Sequence, residues 1–162
     1  VALLLKIPNK EISARLYTFK GVEHRIEYVA NLNNVKYYND SKATNIDSVI
    51  AAINSFKSPI TLILGGSDKG ADFNVLRKIV KKKKISIVAY GSAAERISKT
   101  LRDAANLYLT DKLKEAIEIS NKVTHPGEIV LLSPGCASYD QFLNFEERGM
   151  FFKQTVKAFA IA

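Results

Sequence analysis

Three polar segments of this sequence hold residues suited to binding an anion, and each follows a short apolar run. The sequence Asn-Asp-Ser-Lys-Ala-Thr-Asn occupies positions 39–45, Gly-Gly-Ser-Asp-Lys-Gly-Ala-Asp occupies 65–72, and Ser-Pro-Gly-Cys-Ala-Ser-Tyr-Asp occupies 133–140. Lysine ammonium groups, hydroxyls and the free N–H groups of helix N-termini all bind carboxylate or phosphate oxygens. Taken singly, each segment is equally typical of a turn followed by a helix cap. Three of them in one chain favour an anion-binding site.

The elements that would position these segments alternate between strands and helices. Apolar runs at 60–64, 85–90, 107–110 and 128–132 alternate with amphipathic stretches of helical period. Such runs are typical of parallel strands buried on both faces. A hairpin is predicted before them, with strands at 25–30 and 35–39 joined by the turn Asn-Leu-Asn-Asn, and a helix is predicted from Asp140 onward.

These elements predict an α/β fold, a three-layer Rossmann-like domain whose sheet is mostly parallel with one antiparallel hairpin strand. Ligands of such sheets bind outside the carboxyl ends of the strands. All three polar segments leave carboxyl ends of predicted strands, so we expect them to meet at one edge of the sheet.

Composition limits the classes of function. The chain of 162 residues has the length of one domain, and 24 Lys and Arg residues against 16 Asp and Glu residues give a formal charge of +8. This excess favours an anionic partner, whether phosphate, carboxylate, nucleic acid or a membrane surface. The single cysteine, Cys136, excludes an internal disulfide framework and fits a reducing compartment such as the cytoplasm. The apolar runs are far shorter than the ~20 residues that cross a bilayer.

Several common site motifs are absent from the sequence. It contains neither the P-loop pattern nor the G-x-G-x-x-G fingerprint of dinucleotide-binding folds. His24 and His125 lie far apart without metal-ligand spacing, so no metal site is predicted. Cys136 is interpreted as a small buried residue rather than a nucleophile, and the lysine run at 81–84 as a solvated helix end.

The polar segments, taken in order, resemble those of the C-terminal domain of the Mur ligases. Gly-Val-Glu-His-Arg-Ile-Glu at 21–27 precedes them, and Asn-Phe-Glu-Glu-Arg-Gly at 144–149 follows them. The Asp-Ser-Lys-Ala-Thr-Asn and Ser-Pro-x-Cys-Ala-Ser segments resemble the branch that adds D-glutamate, because sister ligases carry Asp-Tyr-x-His or Asp-Tyr-Asn-Ala at the former place. The resemblance implies that 21–162 form the C-terminal Mur ligase domain. It also implies that 1–20 are the terminal helix of a central ATPase domain, so that the chain, which lacks an initial Met, is part of a longer enzyme.

The family resemblance implies an ADP-forming ligase of peptidoglycan synthesis. Such an enzyme activates UDP-N-acetylmuramoyl-L-alanine with ATP as an acyl phosphate, and the amine of D-glutamate then forms the amide bond. A central domain would hold the P-loop, the Mg²⁺ ligands and a carbamylated lysine, so ATP and Mg²⁺ would be bound mainly outside these residues. We therefore expect a cytoplasmic, monomeric enzyme that binds neither nucleic acid nor membrane, and expect this chain alone to be inactive.

The resemblance also carries residue roles onto matching positions. The residues that it places at D-glutamate, through side chains or main chain, are Thr44, Lys69, Ser138, Tyr139 and Phe145. Those that it places at ATP are Arg25 and Lys42, at the phosphates, and Asp40, at the ribose hydroxyls. It assigns no catalytic residue and no metal ligand to this part of the enzyme.

Three other functions remain open on the sequence alone. A pI of about 9.5 is compatible with a nucleic-acid-binding domain, although the basic residues are scattered and match no known module. A stand-alone Rossmann-type enzyme would bind a nucleotide at the same sheet edge, but the glycine fingerprint is missing. A ligase domain like that of folylpolyglutamate synthase would also bind a glutamate, and the Asp-Ser-Lys-Ala-Thr-Asn segment argues against it.

Overall fold

The computed structural model describes residues 1–19 and 21–160 as one sheet with flanking helices. The strands are β1 (Glu27–Leu32), β2 (Val35–Asn39), β3 (Ile60–Gly65), β4 (Ser86–Tyr90), β5 (Leu107–Thr110) and β6 (Ile129–Gly135). The α-helices are α1 (Asn9–Thr18), α2 (Ile46–Asn54), α3 (Arg77–Lys83), α4 (Ala94–Leu101), α5 (Leu113–Val123) and α6 (Phe145–Ala158). Short 3₁₀ turns at Phe73–Leu76 and Gly91–Ala93 lead into α3 and α4. None of the helices in these two ranges has the length and hydropathy to cross a bilayer.

The sheet has the order β1-β2-β6-β3-β4-β5, and all neighbouring strands are parallel except the β1–β2 pair. Every residue of the two central strands, β3 and β6, is buried. Alternate residues face two separate cores: Leu62 and Leu64 pack with α2, α3 and α4, whereas Ile63 packs with α5 and α6. The predicted three-layer fold with a mostly parallel sheet is therefore confirmed.

The first hairpin is shifted by two residues from its predicted position. β1 begins at Glu27 rather than at Arg25 and continues to Leu32, which pairs with Val35. The turn consists of Asn33 and Asn34 alone, with φ of 50° and 64°, because asparagine tolerates the left-handed conformation that a two-residue turn needs. Arg25 consequently lies in an irregular loop before the sheet.

The boundaries of β6 and α6 also differ from the prediction. β6 continues beyond Leu132 to Gly135, because the backbone remains paired with the end of β3 and the N–H of Gly135 donates to the carbonyl of Ala43 at 2.8 Å. The last helix begins at Phe145 rather than at Asp140. Its N-cap is Asn144, whose Oδ1 accepts the N–H of Glu147 at 2.7 Å. Such a cap fixes the start of a helix by satisfying a free N–H group.

The first helix makes no core contact in the described ranges. No residue of α1 is buried; Leu16 is 70% exposed, and Phe19, directly after the helix, is 64% exposed. Beside it lies an apolar groove of about 770 Å³, which is lined by Ala2, Ile7, Ile12 and Phe19 among others. The assignment of 1–20 to a neighbouring domain stays a prediction.

Candidate functional site

The three polar segments meet at the carboxyl edge of the sheet, as the strand order requires. They follow β2, β6 and β3, which are adjacent in the sheet. The backbone joins them directly: Gly135 N–H donates to Ala43 O at 2.8 Å, and Ser67 N–H donates to Ala137 O at 2.9 Å. The structure thus confirms the prediction that the three segments meet at one edge of the sheet.

A buried arginine on α6 braces two of these loops. Arg148 has no exposed surface, and its Nε donates to Ser41 Oγ at 2.9 Å while Nη2 donates to Ser41 O at 2.8 Å. Its Nη1 donates to the carbonyls of Cys136 and Ala137, both at 3.0 Å. The planar guanidinium fork suits several acceptors held in fixed directions. Arg148 therefore fixes the loop after β2 relative to the loop after β6.

Sequence reasoning assigned no role to Arg148, although a signal was present. Arg148 lies four and eight residues before Phe152 and Val156, the buried residues of α6, and so falls on the same helical face. A charged residue on an apolar face is rarely buried unless it is hydrogen-bonded. That pattern predicts a structural arginine.

Two glycines allow the loops to approach closely. Gly65 and Gly66 have φ of 137° and 120°, in the region that favours glycine. A Cβ on Gly66 would lie 2.5 Å from the carbonyl oxygen of Ala137, and one on Gly65 would lie 2.0 Å from that of Tyr90. The Gly-Gly pair is therefore required by packing at the sheet edge as well as by the turn.

Lys69 and Ser138 lie in adjoining loops on one side of this edge. Lys69 Nζ lies 5.0 Å from the centre of the Tyr139 ring, within the range of a cation–π contact. Ser138 is only 3% exposed, and its main-chain carbonyl accepts the N–H groups of Gln141 and Phe142. Thr44 is exposed on the neighbouring loop, just before α2. An ammonium and two hydroxyls thus border the same edge.

Asp68, the residue before Lys69, forms its ion pair with Arg96. Asp68 accepts two hydrogen bonds from the guanidinium of Arg96, and this pairing holds the pKa of Asp68 below its usual range. Arg96 in turn lies 4.8 Å from the centre of the Phe73 ring. Lys69 itself has no carboxylate within 4 Å in the described residues. Sequence reasoning missed Arg96, because a half-buried arginine on α4 gives no distinctive signal.

Arg25, Asp40 and Lys42 line one cleft of about 280 Å³, beside the start of α2. Ser48 and Ala51 of α2 form its far wall. Lys42 Nζ lies 4.7 Å from the centre of the Phe145 ring. Neither Arg25 nor Lys42 forms an ion pair with the part of the chain that is described. The structure therefore brings together the three residues that the resemblance placed at ATP.

Asp40 is largely enclosed, with 6% of its surface exposed. Its Oδ1 accepts the N–H of Ile26 at 3.2 Å, and its Oδ2 accepts the hydroxyl of Ser133 at 2.8 Å. Burial raises the pKa of Asp40, against the opposing effect of these hydrogen bonds and of Arg25. Asp40 thus links the Arg25 loop to β6 while it borders the cleft.

Cys136 is buried as predicted. Burial raises the pKa of its thiol to about 12, so the reactive thiolate is almost absent at neutral pH. No group of three or more His, Cys, Asp or Glu side chains in residues 1–19 and 21–160 is arranged to hold a metal ion.

The lysine run at 81–84 is not uniformly solvated. Lys83 Nζ donates to the carbonyls of Ile53 and Phe56 at 2.8 and 2.9 Å, at the C-terminal end of α2. Lysine in such a position satisfies carbonyls that a helix end leaves unpaired. The interpretation of the run as a solvated helix end is therefore wrong for Lys83, whereas its three neighbours are exposed.

Comparison with known proteins finds both sequence and structural relatives. Residues 24–136 match the family model described as Mur ligase, glutamate ligase domain. UDP-N-acetylmuramoylalanine–D-glutamate ligase from Caldanaerobacter subterraneus is 47% identical over 160 residues, covering 96% of this chain and 36% of that protein. The enzyme of the same name from Caldicellulosiruptor bescii is 45% identical over 152 residues, covering 93% of this chain and 33% of that protein.

Among solved structures, UDP-N-acetylmuramate–alanine ligase from Thermotoga maritima superposes with a TM-score of 0.68 at 11% identity. The match covers 99% of this chain and 35% of that one, and at this identity it supports the fold alone. The chain spans about one third of the length of the curated relatives that it matches.

Proposed function

Since this chain belongs to the Mur ligase family, as a glutamate ligase domain, we propose that it binds the amino acid in an ATP-dependent ligase that adds D-glutamate to UDP-N-acetylmuramoyl-L-alanine. The observation that carries the proposal is the joining of three loops around Lys69, Ser138 and Tyr139 at the carboxyl edge of the sheet. Neither the nucleic-acid alternative nor the folylpolyglutamate alternative is favoured by the relatives.

A glutamate presents two carboxylates, and the loops offer matching donors. Lys69 forms no ion pair with a carboxylate of the described residues, so its ammonium is available to pair with one of the two carboxylates of glutamate. The hydroxyls of Thr44 and Ser138 would donate to the ligand, and the main chain at Tyr139 and Phe145 would complete the site. Bracing by Arg148 supports this assignment, because donors on fixed loops lose little conformational entropy on binding.

The cleft beside α2 would take part of the nucleotide. Arg25 and Lys42, which form no ion pair within the described part of the chain, suit phosphate oxygens. Asp40 can accept ribose hydroxyls with its remaining lone pairs. ATP would supply the phosphoryl group that activates the UDP-sugar carboxylate, and Mg²⁺ would be held mainly by a central domain. Cations at fixed positions near the transferring phosphoryl group stabilise its charge in the transition state.

The division of labour within the enzyme follows from these assignments. The loops orient the amine of D-glutamate toward the activated carboxylate, and orientation alone can remove several kcal/mol from a barrier. We place residues 1–20 in the central ATPase domain and residues 21–162 in the C-terminal domain. The complete enzyme would act as a cytoplasmic monomer.

The deciding experiment measures phosphate release by the full-length ligase that carries this domain. We expect release to require ATP, UDP-N-acetylmuramoyl-L-alanine and D-glutamate together, with L-glutamate a poor substitute. Omission of each substrate in turn serves as the control. Release that instead depends on a folyl substrate and L-glutamate would overturn the proposal in favour of a folate ligase.

A further inference from the structure

One face of α6 contacts the loop that carries Arg25. Phe145, Gly149 and Lys153 follow one another at intervals of four residues, so they lie on the same side of the helix. We propose that Gly149 and Lys153 are positioning residues for Arg25, and thereby for nucleotide binding. This inference rests on the proposed function, since it assumes that Arg25 contacts the phosphates of ATP.

The backbone around Arg25 needs external support. Its neighbours His24 and Ile26 have φ of 61° and 45°, which is unfavourable for residues with a side chain, and most of all for a β-branched one. The N–H of Ile26 donates to Asp40, and the carbonyl of His24 accepts the N–H of Lys42 at 3.1 Å. Arg25 and Lys42 are therefore fixed relative to each other, provided that His24 stays in place.

His24 is held by Asn39, whose amide orientation is determined by its surroundings. Asn39 Oδ1 accepts the N–H of Ser41 at 3.1 Å, so its Nδ2 faces Glu27 Oε2 at 3.0 Å and His24 Nδ1 at 2.9 Å. Because Nδ2 is a donor, His24 Nδ1 must be the acceptor, which places the ring proton of the neutral imidazole on Nε2. The ring is thus fixed in one tautomer and one orientation.

Only glycine at position 149 leaves room for the His24 ring. A Cβ at position 149 would lie 2.1 Å from His24 Nδ1, 2.7 Å from His24 Cε1 and 3.1 Å from Asn39 Nδ2. Glycine in a helix interior is unfavourable, so its presence in the second turn of α6 needs a compensating contact. The close approach of His24 supplies that contact. The His24 ring also packs in a T-shaped arrangement with the Phe145 ring, with 6.0 Å between the two ring centroids.

Lys153 holds the acidic residues on both sides of Arg25. Its ammonium, whose side chain is only 13% exposed, pairs with Glu23 and lies 3.0 Å from Glu27 Oε1. The other oxygen of Glu27 accepts the N–H of His24 at 3.0 Å. The hydrogen bond from Lys153 also lowers the pKa of Glu23, which is consistent with a favourable pairing. A continuous set of contacts therefore runs from Lys153 through Glu27 and His24 to Arg25.

The first test is Lys153→Met in the full-length ligase, because methionine keeps the aliphatic stem and removes the charge. We expect the KM for ATP to rise about fivefold to tenfold, while the KM for D-glutamate changes less than about twofold. Lys153→Arg should restore most of the ATP affinity. Lys157→Met, one turn further along α6 at an exposed position with no ion pair to residues 1–19 or 21–160, is the matched control and should leave both constants unchanged.

The second test is independent of turnover. In ¹⁵N spectra of this 162-residue chain, Lys153→Met and Gly149→Ala should shift the backbone and Nε signals of Arg25. The backbone signal of Lys69 should not shift. Equal rises in both KM values, or an unchanged Arg25 signal, would overturn the inference. A full-length ligase that shows no D-glutamate-dependent phosphate release would instead contradict the proposed function, and the spectra would still decide whether α6 positions Arg25.

Discussion

At the scale of single residues, the distribution of charge separates structural cations from those available to a ligand. Arg77 and Arg96 are paired with Asp103 and Asp68, and Arg148 is surrounded by carbonyl and hydroxyl oxygens. Lys69, by contrast, lies beside the Tyr139 ring and forms no ion pair among the described residues. Since an exposed ion pair contributes little to stability, leaving Lys69 unpaired costs the fold almost nothing. It leaves a charge where a carboxylate can bind.

Lys69→Ala in the full-length ligase should therefore raise the KM for D-glutamate strongly. Loss of one charge-assisted hydrogen bond, worth about 1.5–3 kcal/mol, corresponds to about a tenfold to hundredfold rise. The measurement is steady-state kinetics with each substrate varied in turn. Lys122→Ala, at an exposed position near the end of α5, is the control. An equal loss of affinity for the UDP-sugar would mean that Lys69 acts on structure rather than on D-glutamate.

At the scale of elements, the sequence predicted the features that depend on hydrophobic periodicity and on turn-forming residues. The order of strands and helices and the convergence of the three loops follow from local patterns, and they match the structure. The positions that were missed depend on long-range contacts. β1 starts late because the loop before it is held by Asn39 and Asp40, and Arg148 is buried because distant carbonyls surround it. The contacts made by Asn39 and Asp40 leave no signal in the sequence around β1, whereas the position of Arg148 on the buried face of α6 did carry one.

Replacement of Arg148 should destabilise the domain more than its single position suggests. Arg148→Lys keeps the charge but cannot reach all four acceptors, and each buried group left unpaired costs about 1–3 kcal/mol. We expect a loss of about 2–4 kcal/mol in the free energy of unfolding, measured by urea denaturation of this chain.

A neighbouring tyrosine provides the comparison for that measurement. The hydroxyl of Tyr90 is buried and has no hydrogen-bond partner within the described ranges, so Tyr90→Phe should change the free energy of unfolding by less than about 1 kcal/mol. Similar effects of the two substitutions would show that hydrogen bonding by Arg148 contributes little.

At the scale of the whole molecule, the described residues form one sheet with a hydrophobic core on each face and polar loops at its carboxyl edge. The three polar loops join one another there, and the cleft at Arg25 and Lys42 is bordered by the loops before β1 and after β2 and by α2. The excess charge of +8 is consistent with this arrangement, because three cations that border the site have no carboxylate partner in the described residues.

We expect this chain alone to release no phosphate from ATP, and to bind free D-glutamate only weakly, because the proposed function assigns the P-loop and the rest of the cleft to a central domain. A sensitive phosphate assay and an NMR titration with D-glutamate test the two statements. The full-length ligase at equal concentration provides the positive control. Turnover by the isolated chain, or sub-micromolar affinity for D-glutamate, would contradict them.

The burial of Cys136 has a practical consequence for the study of this domain. Its side chain is buried beside the main-chain carbonyls of Cys136 and Ala137 that accept hydrogen bonds from Arg148, and burial raises the pKa of its thiol to about 12. A thiol reagent can therefore modify it only while the loop after β6 opens, and the labelling rate reports that opening. Any ligand that closes the three loops slows the labelling. The labelling rate of this one cysteine would therefore measure ligand affinity without an activity assay.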